Sequence, residues 1–166
     1  MQKISNQVND SISNESERSD LIEFIMNSFD KRKIPKLCVL YSKEAGSKST
    51  LVDLITQYFY GSIVFMPNYI LTDITLYDKK KSVHSEELKQ LFKFMDNAKL
   101  IIIEEISNNK KLSKYDLDCF LRLPILEKKY NDIATINNTA NFMIVTNNLE
   151  ILGYLSEDQY FVININ

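Results

Sequence analysis

A chain of 166 residues, 45% hydrophobic and 11% aromatic, can bury one ordinary core and is too short for two comfortable domains. Its formal charge of −2 excludes wholesale electrostatic attraction to nucleic acid. Any such contact is left to lysine runs, Lys79-Lys80-Lys81, Lys110-Lys111 or Lys128-Lys129, and short runs of this kind are commonly just solvated faces.

Residues 1–18 lack apolar periodicity and are expected to form a flexible polar tail, with 19–166 as the folded core. No segment reaches the ~18 apolar residues of a membrane span, and the start carries no signal-type apolar run, so the expectation is a soluble, unprocessed chain. Cys38 and Cys119 lie in apolar surroundings without metal-ligand spacing, which fits buried thiols in a reducing compartment. From Ser19 the spacing of Ile22, Ile25, Met26 and Phe29 predicts a helix capped by Ser19 or Asp20 and ended before Pro35.

"KLCVLYS" reads as a buried strand, and after a polar loop Leu51, Leu54, Ile55, Tyr58 and Phe59 mark one face of a helix that Gly61 closes. "GSIVFMP" is a short strand; "SEELKQLFKFMDNA" is a helix with a serine cap at Ser85. "KLIIIEE" is a buried strand, "DLDCFLRLPIL" a helix up to Pro124, "NFMIVTNN" another buried strand and "QYFVININ" the last. Strands alternating with helices predict an α/β fold, a mainly parallel sheet covered on both faces, whose ligand sits at the carboxyl ends of the strands.

Three of those ends carry chemistry. Against the phosphate-loop pattern G-x-x-x-x-G-K-[ST], residues 42 to 49 read S-K-E-A-G-S-K-S: Lys48 and Ser49 match, while Ser42 and Ser47 replace the glycines. Such a loop works because backbone N–H groups at a helix start, here Ala45 to Thr50, wrap a phosphate while a lysine neutralises its oxygens and a hydroxyl holds Mg²⁺. The acidic pair Glu104-Glu105 would serve the metal and the attacking water respectively. Asn147, ending "NFMIVTN", would present its amide to the γ-phosphate. Each piece alone is commonplace, since serine-rich turns, acidic strand exits and asparagine turns abound; their order, each at the end of an apolar strand, is not.

With these pieces in place the sequence resembles the superfamily 3 helicases, the ATPases of small viruses, some phages and plasmids. The matching segments are "SKEAGSKSTL", "LIIIEE", "LDCFLRLPILEKKY" and "FMIVTNN", spanning Leu37 to Asn166. The resemblance implies an AAA+-like P-loop NTPase, a three-layer sandwich with a mainly parallel five-stranded sheet, binding ATP with Mg²⁺. It assigns Lys48, Glu105 and Asn147 to catalysis, Ala45, Gly46, Ser47, Lys48, Ser49 and Thr50 to the nucleotide, and Ser49 and Glu104 to the metal. The third segment is similar to the lysine-bearing part of polyomavirus and papillomavirus helicases, so Lys128 and Lys129, with a hairpin at about Asn131 to Thr139, would face nucleic acid, single-stranded DNA ahead of RNA. A homo-hexameric ring, or a mixed assembly with a larger helicase, is the implied assembly. No membrane partner is implied, and the location is the cytoplasm or the interior of a host cell, including the nucleus for a viral protein.

The departures set the rate. Gly46 lies one residue before the usual glycine, and no arginine follows Arg122 to reach a neighbouring subunit's γ-phosphate. Trans-acting arginines are worth roughly 10³ to 10⁵ in turnover elsewhere, so slow hydrolysis is expected. Two readings therefore compete: an ATPase core, and a non-catalytic interaction protein derived from one. A nucleotide kinase would need lid arginines, which Arg122 alone does not supply. His84 precedes a helix cap and reads as a solvated turn residue.

Overall fold

The computed structural model describes residues 2–29, 36–44, 47–66, 98–104, 140–153, 155 and 160–166, and the backbone of 124–129 and 132–137. Its elements are α1 (Gln2–Ser11), α2 (Glu15–Asn27), β1 (Leu37–Tyr41), α3 (Ser47–Tyr58), β2 (Ile63–Met66), β3 (Leu100–Glu104), β4 (Pro124–Lys129), β5 (Asp132–Asn137), β6 (Asn141–Thr146) and β7 (Tyr160–Asn164), with a 3₁₀ turn at Leu149–Leu152. Five strands form one all-parallel sheet in the order β2-β3-β6-β1-β7. β4 and β5 make a separate antiparallel hairpin. The fold is α/β, of the P-loop NTPase-like sandwich type.

The central strands are apolar along their middles because both faces are covered. Cys38, Leu40, Leu100, Ile102, Met143 and Val145 join one cluster with α1, α2 and α3; on the opposite face Val39, Ile101, Ile103, Phe142 and Ile144 are buried as well. On α3, Leu51, Ile55 and Phe59 are buried and Leu54 and Tyr58 pack beside them, which is the face the sequence spacing marks. Gly61 follows with φ 75°, the left-handed conformation in which a helix commonly ends and which glycine adopts without strain.

The amino terminus corrects the sequence reading. Most of residues 2–18, expected as a tail, is helical: α1 occupies Gln2–Ser11, and α2 begins at Glu15, four residues before the expected cap at Ser19. Asn14 is the cap, its side chain accepting the N–H groups of Ser16 and Glu17. Ten residues are too few for a stable helix in water, where roughly 12–15 are needed, so packing must hold α1. Ile4, Val8 and Ile12, four residues apart, supply it: all three are buried in the cluster shared with α3. Each such side chain is worth about 1.5–3 kcal/mol when buried. The pattern is one apolar residue per turn in an otherwise polar segment, too sparse to stand out from a disordered composition.

The hairpin also differs from expectation. It runs from Pro124 to Asn137, so "PILEKK" belongs to its first strand and Lys128 and Lys129 lie opposite Ile133 and Asp132. The expected helices at 85–97 and 116–123 and the lysines at 79–81 and 110–111 lie outside the described residues. Among the described residues no helix is long and apolar enough to cross a membrane.

Candidate functional site

The sheet order gathers three of the polar strand ends. β6 lies between β1 and β3, and the strands are parallel, so the ends of all three face the same way. Leu40 and Glu104 both lie level with Val145, and Tyr41 lies level with Thr146. Two strand spacings separate the exit of β1 from Glu104, roughly 10 Å between backbones. Chain β1 leaves through α3 toward β2 on one flank, while β6 leaves through the 3₁₀ turn toward β7 on the other. Strand order thus reverses between β1 and β6, the position at which open parallel sheets bind ligands.

Between β1 and α3 the chain makes a short polar turn around one lysine. Lys48, in the first turn of α3, is only 6% exposed, and its Nζ donates to the carbonyl oxygens of Ser42 and Glu44, both at 3.0 Å. Burial pushes the Lys48 ammonium below the usual lysine pKa. The Ser42 hydroxyl accepts the Glu44 N–H at 3.2 Å, and the Ser42 N–H reaches the Thr146 carbonyl at 3.4 Å, joining the loop to the end of β6. Ser49 and Thr50, next in α3, are exposed. Ala45, Gly46 and the side chain of Ser47 lie outside the described residues.

At the end of β6 the two asparagines separate. Asn148 accepts the Glu150 N–H at 2.9 Å and so caps the 3₁₀ turn. Thr146 is buried, its hydroxyl accepting the Asn148 N–H at 3.0 Å and donating to the Asn148 carbonyl at 3.2 Å. Asn147 between them is exposed, the residue the sequence singled out. Glu104 is exposed at the end of β3; Glu105 lies outside the described residues. Lys48, Ser49, Thr50, Glu104 and Asn147 therefore sit at one edge of the sheet, whereas Lys128 and Lys129 are on the separate hairpin.

This donor set fits a polyphosphate with Mg²⁺: an ammonium housed inside the turn, hydroxyls on the first turn of a helix, and a carboxylate across from them. Among the described residues no group of three or more His, Cys, Asp or Glu could hold a metal alone. A cation here would complete its shell with phosphate oxygens and water, as Mg²⁺ does at nucleotides. Sequence reasoning missed the use of Ser42, whose hydroxyl and carbonyl both serve the loop. A serine two residues before a loop N–H is an ST-turn signal, and that was the available clue.

No family model and no curated protein matches the sequence. The fold is similar to the A-form apo structure of the NrS-1 C-terminal region, residues 305–718, with TM-score 0.63 at 15% identity, over 99% of this chain and 37% of that one. A second A-form apo structure of that region matches with TM-score 0.60 at 18% identity, again over 99% and 37%. At such identity the likeness is one of fold, and the chain spans little more than a third of the length of these neighbours.

Proposed function

We propose that this chain is a nucleotide-binding, slowly ATP-hydrolysing core of superfamily 3 helicase type, acting on nucleic acid in the replication of a virus or mobile element. The observation that carries the reading is the juxtaposition of a lysine-bearing turn, an acidic strand end and an exposed asparagine on three neighbouring parallel strands, at the reversal of strand order. In this reading the N–H groups from Ala45 through Gly46, Ser47 and Thr50 cradle the phosphates, and Lys48 neutralises them. Ser49 and Glu104 hold Mg²⁺, which supplies charge neutralisation on the phosphate oxygens. Glu105 orients or deprotonates water, and Asn147 contacts the γ-phosphate.

The order of the strands supports one direction for the nucleotide in this reading. Glu104 and Asn147 lie on the β6 and β3 side of the loop, so in this reading the γ-phosphate would point that way. On the hairpin, Lys128 and Lys129 offer point charges to a nucleic acid backbone, single-stranded DNA ahead of RNA. A homo-hexameric ring is one assembly for this core; inclusion in the ring of a larger helicase is the other, and only there would a neighbouring subunit supply the arginine this chain lacks after Arg122.

Binding of labelled ATP with Mg²⁺ by the wild type and by Lys48→Ala tests the reading. Loss of binding in the variant is expected; equal binding by both, or none by the wild type, sinks it. One observation favours the second reading, a non-catalytic interaction protein that keeps the fold: the loop satisfies its own lysine with its own carbonyls. Turnover no higher than that of Glu105→Gln, together with co-purification with a larger helicase, would decide for it.

A further inference from the structure

Among the described residues β7 is an outer strand of the sheet. An outer strand leaves a row of N–H and C=O groups open to another chain, and proteins commonly guard it with charge or proline. The strand itself, YFVIN, holds neither. Its protection comes from elsewhere in the chain.

Ile165, just past β7, donates its N–H inward to the Tyr41 carbonyl of β1 at 2.7 Å. Successive residues of an extended chain face opposite ways, so Asn164 and Asn166 turn theirs outward. Both are taken by residues between the end of α1 and the first turn of α2. The Glu17 carboxylate accepts the Asn164 N–H at 2.6 Å and its Nδ2 at 2.9 Å. The Ser11 carbonyl accepts the Asn166 N–H at 2.9 Å, and Ser13 Oγ accepts Asn166 Nδ2 at 2.7 Å. These oxygens stand in for the carbonyls of a further strand. Packing seats them: Phe24 of α2 meets Phe161 of β7 edge to face at 5.5 Å, and Ile12, between the two helices, is fully buried.

We propose that residues 11–17 are an edge strap: they fill the outward hydrogen-bonding positions at the end of β7 and so keep a second copy of this chain from adding its own β7 there. A second copy is the occupant the strand favours, because two uncharged β7 edges related by a two-fold axis pair antiparallel without a like-charge contact. Glu17 is the positioning residue of the strap, since its side chain alone reaches both donors of Asn164. The strap works the same way whether or not the chain binds a nucleotide.

Amide hydrogen exchange in dilute solution, with sedimentation equilibrium over a range of concentrations, tests this on the full chain. The proteins are wild type, Glu17→Ala, Glu17→Asp, and each of these two combined with Val162→Pro. Aspartate keeps the charge in the first turn of α2 but is one methylene shorter, so it decides the matter if the alanine variant does not fold. Both single variants are expected to exchange the Asn164 amide about fivefold faster than wild type, the size of one net hydrogen bond, and to self-associate more strongly. Proline at 162 removes an outward N–H and leaves the bonds to β1, so the double variants should return to the self-association of wild type. Unchanged exchange at Asn164, association no stronger than in wild type, or association that survives the proline each overturns the strap.

Discussion

The two ends of β6 carry the same residue type in opposite conditions. At its start Asn141 is 1% exposed, with Nδ2 donating to Ser28 Oγ at 2.8 Å and to the Phe24 carbonyl at 3.4 Å, and Oδ1 accepting the Lys36 N–H at 3.1 Å. At its far end Asn147 is exposed beside the loop. A buried amide must have its partners or lose its desolvation energy, so Asn141 fastens the end of α2 and the entry to β1 onto the sheet. The Asn147 amide, exposed and with no side-chain hydrogen bond among the described residues, is open to a ligand. A third asparagine falls between: Asn164, ending β7, is exposed but bonded, its N–H and Nδ2 donating to the Glu17 carboxylate at 2.6 and 2.9 Å.

If burial and partnership separate scaffold from site, the three asparagine sites should differ in stability in that order. Asn141→Leu keeps the volume but leaves the Lys36 N–H without its acceptor and Ser28 without its donor. Its cost is about 3 kcal/mol, a fall in Tm of roughly 6–12 °C. An unchanged melting curve would break the distinction at its strongest point. Glu17→Ala removes the acceptor of Asn164 at a wet site, where water replaces it, and should cost about 1 kcal/mol or roughly 2–4 °C. A loss as large as that of Asn141→Leu would show that the tie between α2 and β7 is a keystone rather than a surface clamp.

Asn147→Ala should leave stability within about 0.5 kcal/mol of wild type. Under the proposed function it should lower ATP turnover on the order of 10²-fold, as loss of one transition-state donor does elsewhere. Steady-state phosphate release and a melting curve on the same preparation check both halves. A variant that melts early and turns over normally would reverse the roles given to the two ends of the strand.

The difference also marks what the sequence could reveal. β1, β3 and β6 are legible because strands covered on both faces carry runs of four apolar residues and stop abruptly at polar ones. Asn147 is legible as the first polar residue past Thr146, although only the Asn148 cap excludes its neighbour. The partners of Asn141 come from positions 105, 113 and 117 residues away along the chain, and no local pattern announces them. Sheet order is equally silent: each strand resembles the others, and pairing is decided by crossovers. α1 stayed hidden because its buried apolar residues, Ile4 and Val8, with Ile12 just past its end, stand alone among polar ones and fold only against a partner helix.

The smallest expected effect concerns the one buried charge among the described residues of the site and depends on pH. Lys48 has its pKa lowered in the folded protein by burial, so between that lowered value and the ordinary lysine value of about 10.4 the unfolded chain binds more protons than the folded one. Stability rises with pH wherever the unfolded state binds more protons, so Lys48 destabilises the fold when charged and ceases to do so as the pH climbs through this window. Lys48→Met retains the length and removes the charge, and also the two bonds to the Ser42 and Glu44 carbonyls. In urea titrations at a series of alkaline pH values, wild type should therefore gain on Lys48→Met as the pH rises toward 10.4. A difference that stays flat over that range would mean the ammonium is as well solvated in the loop as in the unfolded chain. It would then be no more part of the interior than Asn147, and the contrast between the buried and exposed groups of the site would be lost at its lysine.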